Sequence, residues 1–203
     1  MKKYILFFIA CILLSSCGPT LKAQRMTTEE GDKEAMTITD EWVATDTNLA
    51  VKSILKKLLN HRRYQDYLNT KNGTPKLMVG IIENQTSEDN FPITSLNNKL
   101  LNEVFESGDF NLISAKDRER VLNEIKFQNS GMVKESEMKK IGRMSGADLL
   151  MSGEVVMQDK ILKGRTLKEY SLTIRLVEIE SGEEVARALY ETTKYSKKKG
   201  FGW

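Results

Sequence analysis

Between Tyr170 and Leu176 the chain alternates strictly: Tyr170, Leu172, Ile174 and Leu176 are apolar, Ser171, Thr173 and Arg175 polar. Successive side chains of a strand point to opposite faces, so a period of two demands a sheet with one buried and one wet side. Lys163-Gly164 ahead of it and Glu180-Ser181-Gly182-Glu183 behind it read as turns, flanked by strands at Ala147–Met157 and Glu184–Lys194. Three strands joined by short turns form an antiparallel meander, whose apolar side needs a second layer.

The preceding residues supply that layer. Leu49, Ile54, Leu55, Leu58 and Leu59 recur at helical spacing behind Asp46, which suits an N-cap, and predict a helix to about Tyr67. Asn72-Gly73-Thr74-Pro75 breaks it, and Lys76–Ile82 is a continuous apolar run, the form of a strand buried on both faces. A polar loop, Glu83–Phe91, follows. Leu96, Leu100, Leu101, Val104 and Phe105 mark a second helix closed by Gly108, and Phe110–Ser114 a short strand. Val121, Leu122 and Ile125 mark a third helix, stopped after Gln128 by Asn129-Ser130-Gly131. Met138, Ile141 and Met144 mark a fourth, stopped by Gly146. The order α-β-α-β-α-α-β-β-β predicts one α/β domain over residues 46–195. It is a mixed sheet of about five strands covered by about four helices.

The N-terminus constrains what can hold that domain together. Met1-Lys2-Lys3 is followed by the uncharged run Tyr4–Leu14 and then Ser15-Ser16-Cys17-Gly18. A basic start, a short apolar stretch and small residues before a break form a secretory signal, with an apolar run well short of the roughly 20 residues that span a bilayer. Leu14-Ser15-Ser16-Cys17 resembles the lipobox of bacterial lipoproteins, which makes residues 1–16 a signal peptide and Cys17 the lipidation site. The thiol would take a diacylglycerol and the new amine an acyl chain such as palmitate, and two or more chains anchor stably. The alternative is an ordinary signal peptide with a chance cysteine at its end. The only other cysteine, Cys11, lies in the segment removed, so no internal disulfide is expected and stability must come from the core.

Processing also changes the charge balance. The sequence has 31 Lys+Arg and 28 Asp+Glu; losing Lys2 and Lys3 leaves 29 against 28, a net of +1. That gives no warrant for nucleic-acid binding. Residues 17–45 read as a lipid-anchored tether, because Gly18–Asp40 has few large apolar groups. The roughly 28 residues between Cys17 and Asp46 reach about 30 Å as a flexible coil.

No catalytic constellation stands out, and no cofactor or metal is expected. His61 is the only histidine, set in the polar run Asn60-His61-Arg62-Arg63, where a surface role suits it best. Without a second histidine or a free thiol there is no Cys/His pair and no transition-metal cluster. Glu83, Glu88 and Asp89 surround one loop at a strand's C-terminal end, a position where paired carboxylates could hydrolyse a glycan, although clustered loop acids are usually only solvated. Asn84-Gln85-Thr86 matches a glycosylation sequon by chance in a chain with a bacterial lipobox. The loop Asn84–Pro92 reads as plain surface by its polar composition, with a partner contact as the alternative. Residues 196–203 end in Lys197-Lys198-Lys199-Gly200-Phe201-Gly202-Trp203, which reads first as a frayed terminus, then as a partner contact through its aromatics, and last as a site for anionic lipid.

Several segments taken together resemble a known family. They are Glu41-Trp42 with Thr45–Leu49, the strand running into Ile82–Glu88, Phe127–Gly131, and Ile141-Gly142 leading to Gly146–Gly153. In this order and behind a lipobox, across about Trp42 to Thr193, they resemble the LpoB family of lipoprotein activators of penicillin-binding proteins. The resemblance implies a fold like the N-terminal domain of TolB, shared with the curli secretion lipoprotein CsgG. It implies an outer-membrane lipoprotein facing the periplasm, not an enzyme. The implied partner is a bifunctional penicillin-binding protein, a peptidoglycan synthase whose glycosyltransferase and transpeptidase activities it stimulates by contact in cell wall synthesis. One departure is the tether, short and with only Pro19, where the best-known members have a longer, proline-rich one. The alternative is a CsgG-like secretion lipoprotein that oligomerises at the outer membrane. Barrel strands need about 9–11 alternating residues each, and only Tyr170–Ile179 and Ala147–Met157 approach that length.

Overall fold

The computed structural model describes residues 39–114 and 146–198 without a break, with Asn123 and a few positions between Met26 and Thr37. Cys17, residues 199–203 and, apart from the helical Asn123, the expected third and fourth helices lie outside the described residues. The elements are α1 (Ala44–Leu59), α2 (Arg62–Thr70), β1 (Lys76–Gln85), α3 (Ile93–Ser107), β2 (Asn111–Leu112), β3 (Leu149–Leu162), β4 (Arg165–Glu178) and β5 (Glu184–Lys197). The strands form one sheet in the order β2-β1-β3-β4-β5. β1 is parallel to both its neighbours, while β3, β4 and β5 form the expected antiparallel meander.

Period-two burial runs through the meander: Met151, Gly153 and Val155 on β3 and Tyr170, Leu172, Ile174 and Leu176 on β4 are buried. Ala186 and Ala188 continue this face onto β5; α1 packs over β5 and β4, and α3 packs beside it over β1. Ser171, Thr173 and Arg175, expected in water, are half-buried. Each meander strand has 14 residues, longer than its apolar run. Lys163 and Gly164 both have positive φ, at 49° and 73°, and form a two-residue turn whose twist matches the flanking strands.

Helical periodicity merges two helices that the structure separates. Asn60 leaves α1 at φ −90° and ψ 3°, and His61 is extended at φ −69° and ψ 129°. Asn60 Nδ2 donates to the Lys56 carbonyl at 2.8 Å, and Gln65 Nε2 donates to that of Leu59, so side chains satisfy the end of the first helix. The bend turns Tyr64 into the core, its ring 5.8 Å from Phe110. Asp46 is not the N-cap. Val43 holds that place, and Asp46 sits in the first turn accepting the Val43 N–H at 2.8 Å.

β1 is not buried on both faces. Leu77 and Ile82 are buried, but Ile81 is 78% exposed. The register shifts between Val79 and Ile82, and Asn97 of α3 bonds the Ile82 N–H and carbonyl at this irregularity. The strand continues to Gln85, into the expected loop. α3 ends as read, at Gly108 with φ 70°, although Leu101 and Phe105 face outward. β2 is only two residues long.

Packing begins ahead of residue 46. Trp42, within the stretch read as tether, is 4% exposed. Its ring lies 5.5 Å from both Phe91 and Tyr170, and its indole N–H donates to Thr47 Oγ1 at 2.8 Å.

Candidate functional site

The loop acids read from the sequence do not form a catalytic pair. Glu83 and Asp89 are exposed, whereas Glu88 is folded back onto the sheet. Lys168 of β4 donates to Glu88 Oε1 at 2.7 Å, and the Tyr170 hydroxyl donates to the same oxygen at 2.6 Å. Lys168 also reaches Asp40 Oδ1 at 3.1 Å, and Ser196 of β5 donates to Asp40 Oδ2. Alongside, Lys194 lies 2.6 Å from Asp46 Oδ2 with both side chains nearly buried. The Ser196 hydroxyl, with Lys168, holds the Asp40 carboxyl below the usual aspartate range. Burial and the neighbouring Glu88 raise the Tyr170 phenol. These groups fasten the chain before α1 and the β1–α3 loop to the sheet, a structural task. Asn84 takes the N–H and hydroxyl of Thr86, making a local turn. Among the described residues no group of three or more His, Cys, Asp or Glu is placed to hold a metal.

Among the described residues, the long sheet edge with unused bonding capacity is the far side of β5, since the other edge strand, β2, has only two residues. Lys198 N–H donates to the Gly164 carbonyl at 2.8 Å, so Lys198 and, in step with it, the even-numbered residues of β5 face β4. The odd-numbered residues therefore direct their backbone groups away from the sheet. The Leu189 carbonyl agrees: it accepts a bond from Lys57 Nζ of α1. Among the described residues no strand pairs with this side of β5.

A groove follows that edge. Ser53, Lys57 and Asn60 of α1 and His61 and Arg62 at the start of α2 form one wall, and residues 187–191 form the floor. His61 lies half-buried in this shallow surface groove, with its Nδ1 buried and unpartnered. Lys57 and Arg62 make this wall basic, and Arg187 is forked onto Glu184 by two 2.7 Å bonds. On the other face of β5, Leu189 and Tyr195 are exposed. Lys57, Leu189 and Tyr195 went unnoticed in the sequence because no local signal marks β5 as an outer strand.

Sequence comparison settles the family. The family model described as peptidoglycan-synthase activator LpoB matches residues 46–186, more than half of the chain. This chain belongs to the LpoB family. The match covers both helices of the groove wall and most of the meander. No curated protein matches the chain significantly. Among solved structures, the LpoB C-terminal domain from Salmonella enterica aligns at 16% identity and a TM-score of 0.40, covering 72% of this chain and 98% of that one. Escherichia coli LpoB aligns at 15% identity and 0.38, covering 88% and 82%. Lipoprotein GNA1162 from Neisseria meningitidis aligns at 16% and 0.37, covering 63% and 88%. At these scores the structural likenesses add no functional argument. The family is described as one of peptidoglycan-synthase activators.

Proposed function

We propose that this LpoB-family chain is a lipid-anchored activator of a bifunctional penicillin-binding protein, held at the outer membrane and facing the periplasm. The observation that carries the reading is the family match over residues 46–186 behind the junction Leu14-Ser15-Ser16-Cys17. Residues 1–16 are the signal peptide, Cys17 carries the lipid, and the chain from Gly18 to about Thr39 is the tether. The protein itself does no chemistry. It raises the synthase's rate by binding the active conformation more tightly than the inactive one, since a partner shifts an equilibrium only by its differential affinity.

The alternating sheet agrees with a soluble binding module. Opposite the core face, the meander carries Glu154, Glu169, Arg175, Arg187 and Glu191. Such charges are costly against lipid, so these strands are poorly suited to a membrane barrel. Crosslinking in cells followed by pull-down through the mature domain tests the partner. Recovery of a bifunctional penicillin-binding protein supports the activator reading, and its absence among the crosslinked partners contradicts it.

A further inference from the structure

We infer that the free edge of β5 is the docking line for an extended, acidic segment of the partner, which joins the sheet as a sixth strand. This rests on the activator reading and names the surface that it uses. Three features of the edge converge on such an occupant.

The first is backbone capacity. Arg187, Leu189, Glu191, Thr193 and Tyr195 turn their N–H and C=O groups away from β4, as the Lys198–Gly164 and Lys57–Leu189 bonds independently establish. Exposed edges of this length invite pairing with another chain, and proteins often guard them with lysine. Lys57 is such a guard, placed on the Leu189 carbonyl. An added strand requires that carbonyl and displaces the ammonium.

The second is charge. A strand added beside β5 sends alternate side chains toward α1 and α2, where Lys57, His61 and Arg62 line the wall. Arg62 is paired at 3.9 Å with Asp66, and Lys57 with no carboxylate among the described residues. A carboxylate there meets the ammonium that has just left Leu189. The guard then becomes a partner, and specificity for acidic segments follows. The third is the opposite face, where Leu189 and Tyr195 are exposed and accept apolar residues at the intervening positions. The occupant is therefore an alternating acidic and apolar strand.

The probe is the purified bifunctional synthase that the wild-type mature protein stimulates, titrated against variants of the full mature chain. Thr193→Pro removes an outward N–H, which edge strands tolerate, and Thr193→Ala is its side-chain control. The expected result is near wild-type affinity for Thr193→Ala and at least a tenfold loss for Thr193→Pro with an unchanged far-UV spectrum. Lys57→Glu is expected to weaken binding at least fivefold. Should Thr193→Pro misfold, amide exchange on the wild-type complex decides: Leu189, Glu191 and Thr193 N–H groups exchange fast alone and become protected when bound. Wild-type affinity of folded Thr193→Pro, or unchanged exchange at those amides, overturns the proposal. So does a concentration-dependent dimer abolished by Thr193→Pro, which assigns the edge to a second copy of this chain. If the wild-type protein binds no synthase, the activator reading fails first and takes this one with it.

Discussion

Lys168 Nζ lies 3.1 Å from Asp40 Oδ1 and ties the chain ahead of α1 to the centre of the meander, 128 residues further on. The same ammonium holds Glu88 at 2.7 Å, with all three side chains at least 80% buried. Lys168→Ala leaves two carboxylates without their cation. It is expected to cost about 2 kcal/mol, the scale of hydrogen bonds to charged groups, read as a lowered urea midpoint with unchanged slope.

Asp40 also gives the protein an acid-sensitive contact. The Ser196 hydroxyl and Lys168 hold its folded pKa below the ordinary 3.8. The folded state therefore binds this proton less readily than the unfolded chain. The stabilisation is complete above that ordinary value and disappears as pH falls through the lower folded one. Unfolding measured from pH 6 down to pH 2 is expected to show a shallower acid limb in Asp40→Asn than in wild type.

Trp42 sets where the folded unit starts. Its ring packs against Phe91 and Tyr170, and its N–H is bonded to Thr47. Trp42→Ala is expected to destabilise by roughly 3 kcal/mol, the scale of a large aromatic removed from a core. A chain beginning at Asp46 should lose at least as much relative to one beginning at Thr39. Equal thermal midpoints for the two would contradict the packing role.

Gly153 lies opposite Ile174 where β3 and β4 come close. A Cβ there would stand 2.2 Å from the Thr173 carbonyl oxygen and 2.5 Å from Ile174 Cδ1. Gly153→Ala is expected to cost about 2–3 kcal/mol through overpacking, read from denaturant unfolding. Gly182→Ala is the contrast: nothing crowds its Cβ, and only its φ of 73° is strained, so a loss of about 1 kcal/mol is expected.

What the sequence made legible was local. Alternation at Tyr170–Leu176 and the turn residues Lys163-Gly164 and Glu180–Glu183 were enough to place the meander, because period and turn chemistry act over a few residues. The α1–α2 break was hidden because Asn60-His61 carries neither Gly nor Pro, and side-chain bonds from Asn60 and Gln65 end the helix instead. Ile81 reads as core because apolar character does not reveal a register shift. The Asp40–Lys168–Glu88 cluster joins positions at least 48 residues apart, beyond any local pattern. Sheet order is equally non-local, so the open edge of β5 and its Lys57 guard emerged only from the assembled fold.

Anchoring has its own test. Cys17→Ala is expected to leave an unprocessed precursor that migrates more slowly and takes up no clickable fatty acid. Normal processing and labelling of that variant would remove the lipoprotein reading, which stands on Leu14-Ser15-Ser16-Cys17.

The activator role is tested most directly by titrating the purified mature domain into lipid II polymerisation reactions run by each bifunctional penicillin-binding protein of the same cell. A saturable rise in polymerisation rate with at least one of them, at micromolar or lower domain concentration, is the predicted result. Unchanged rates and no binding with every one of them would contradict it.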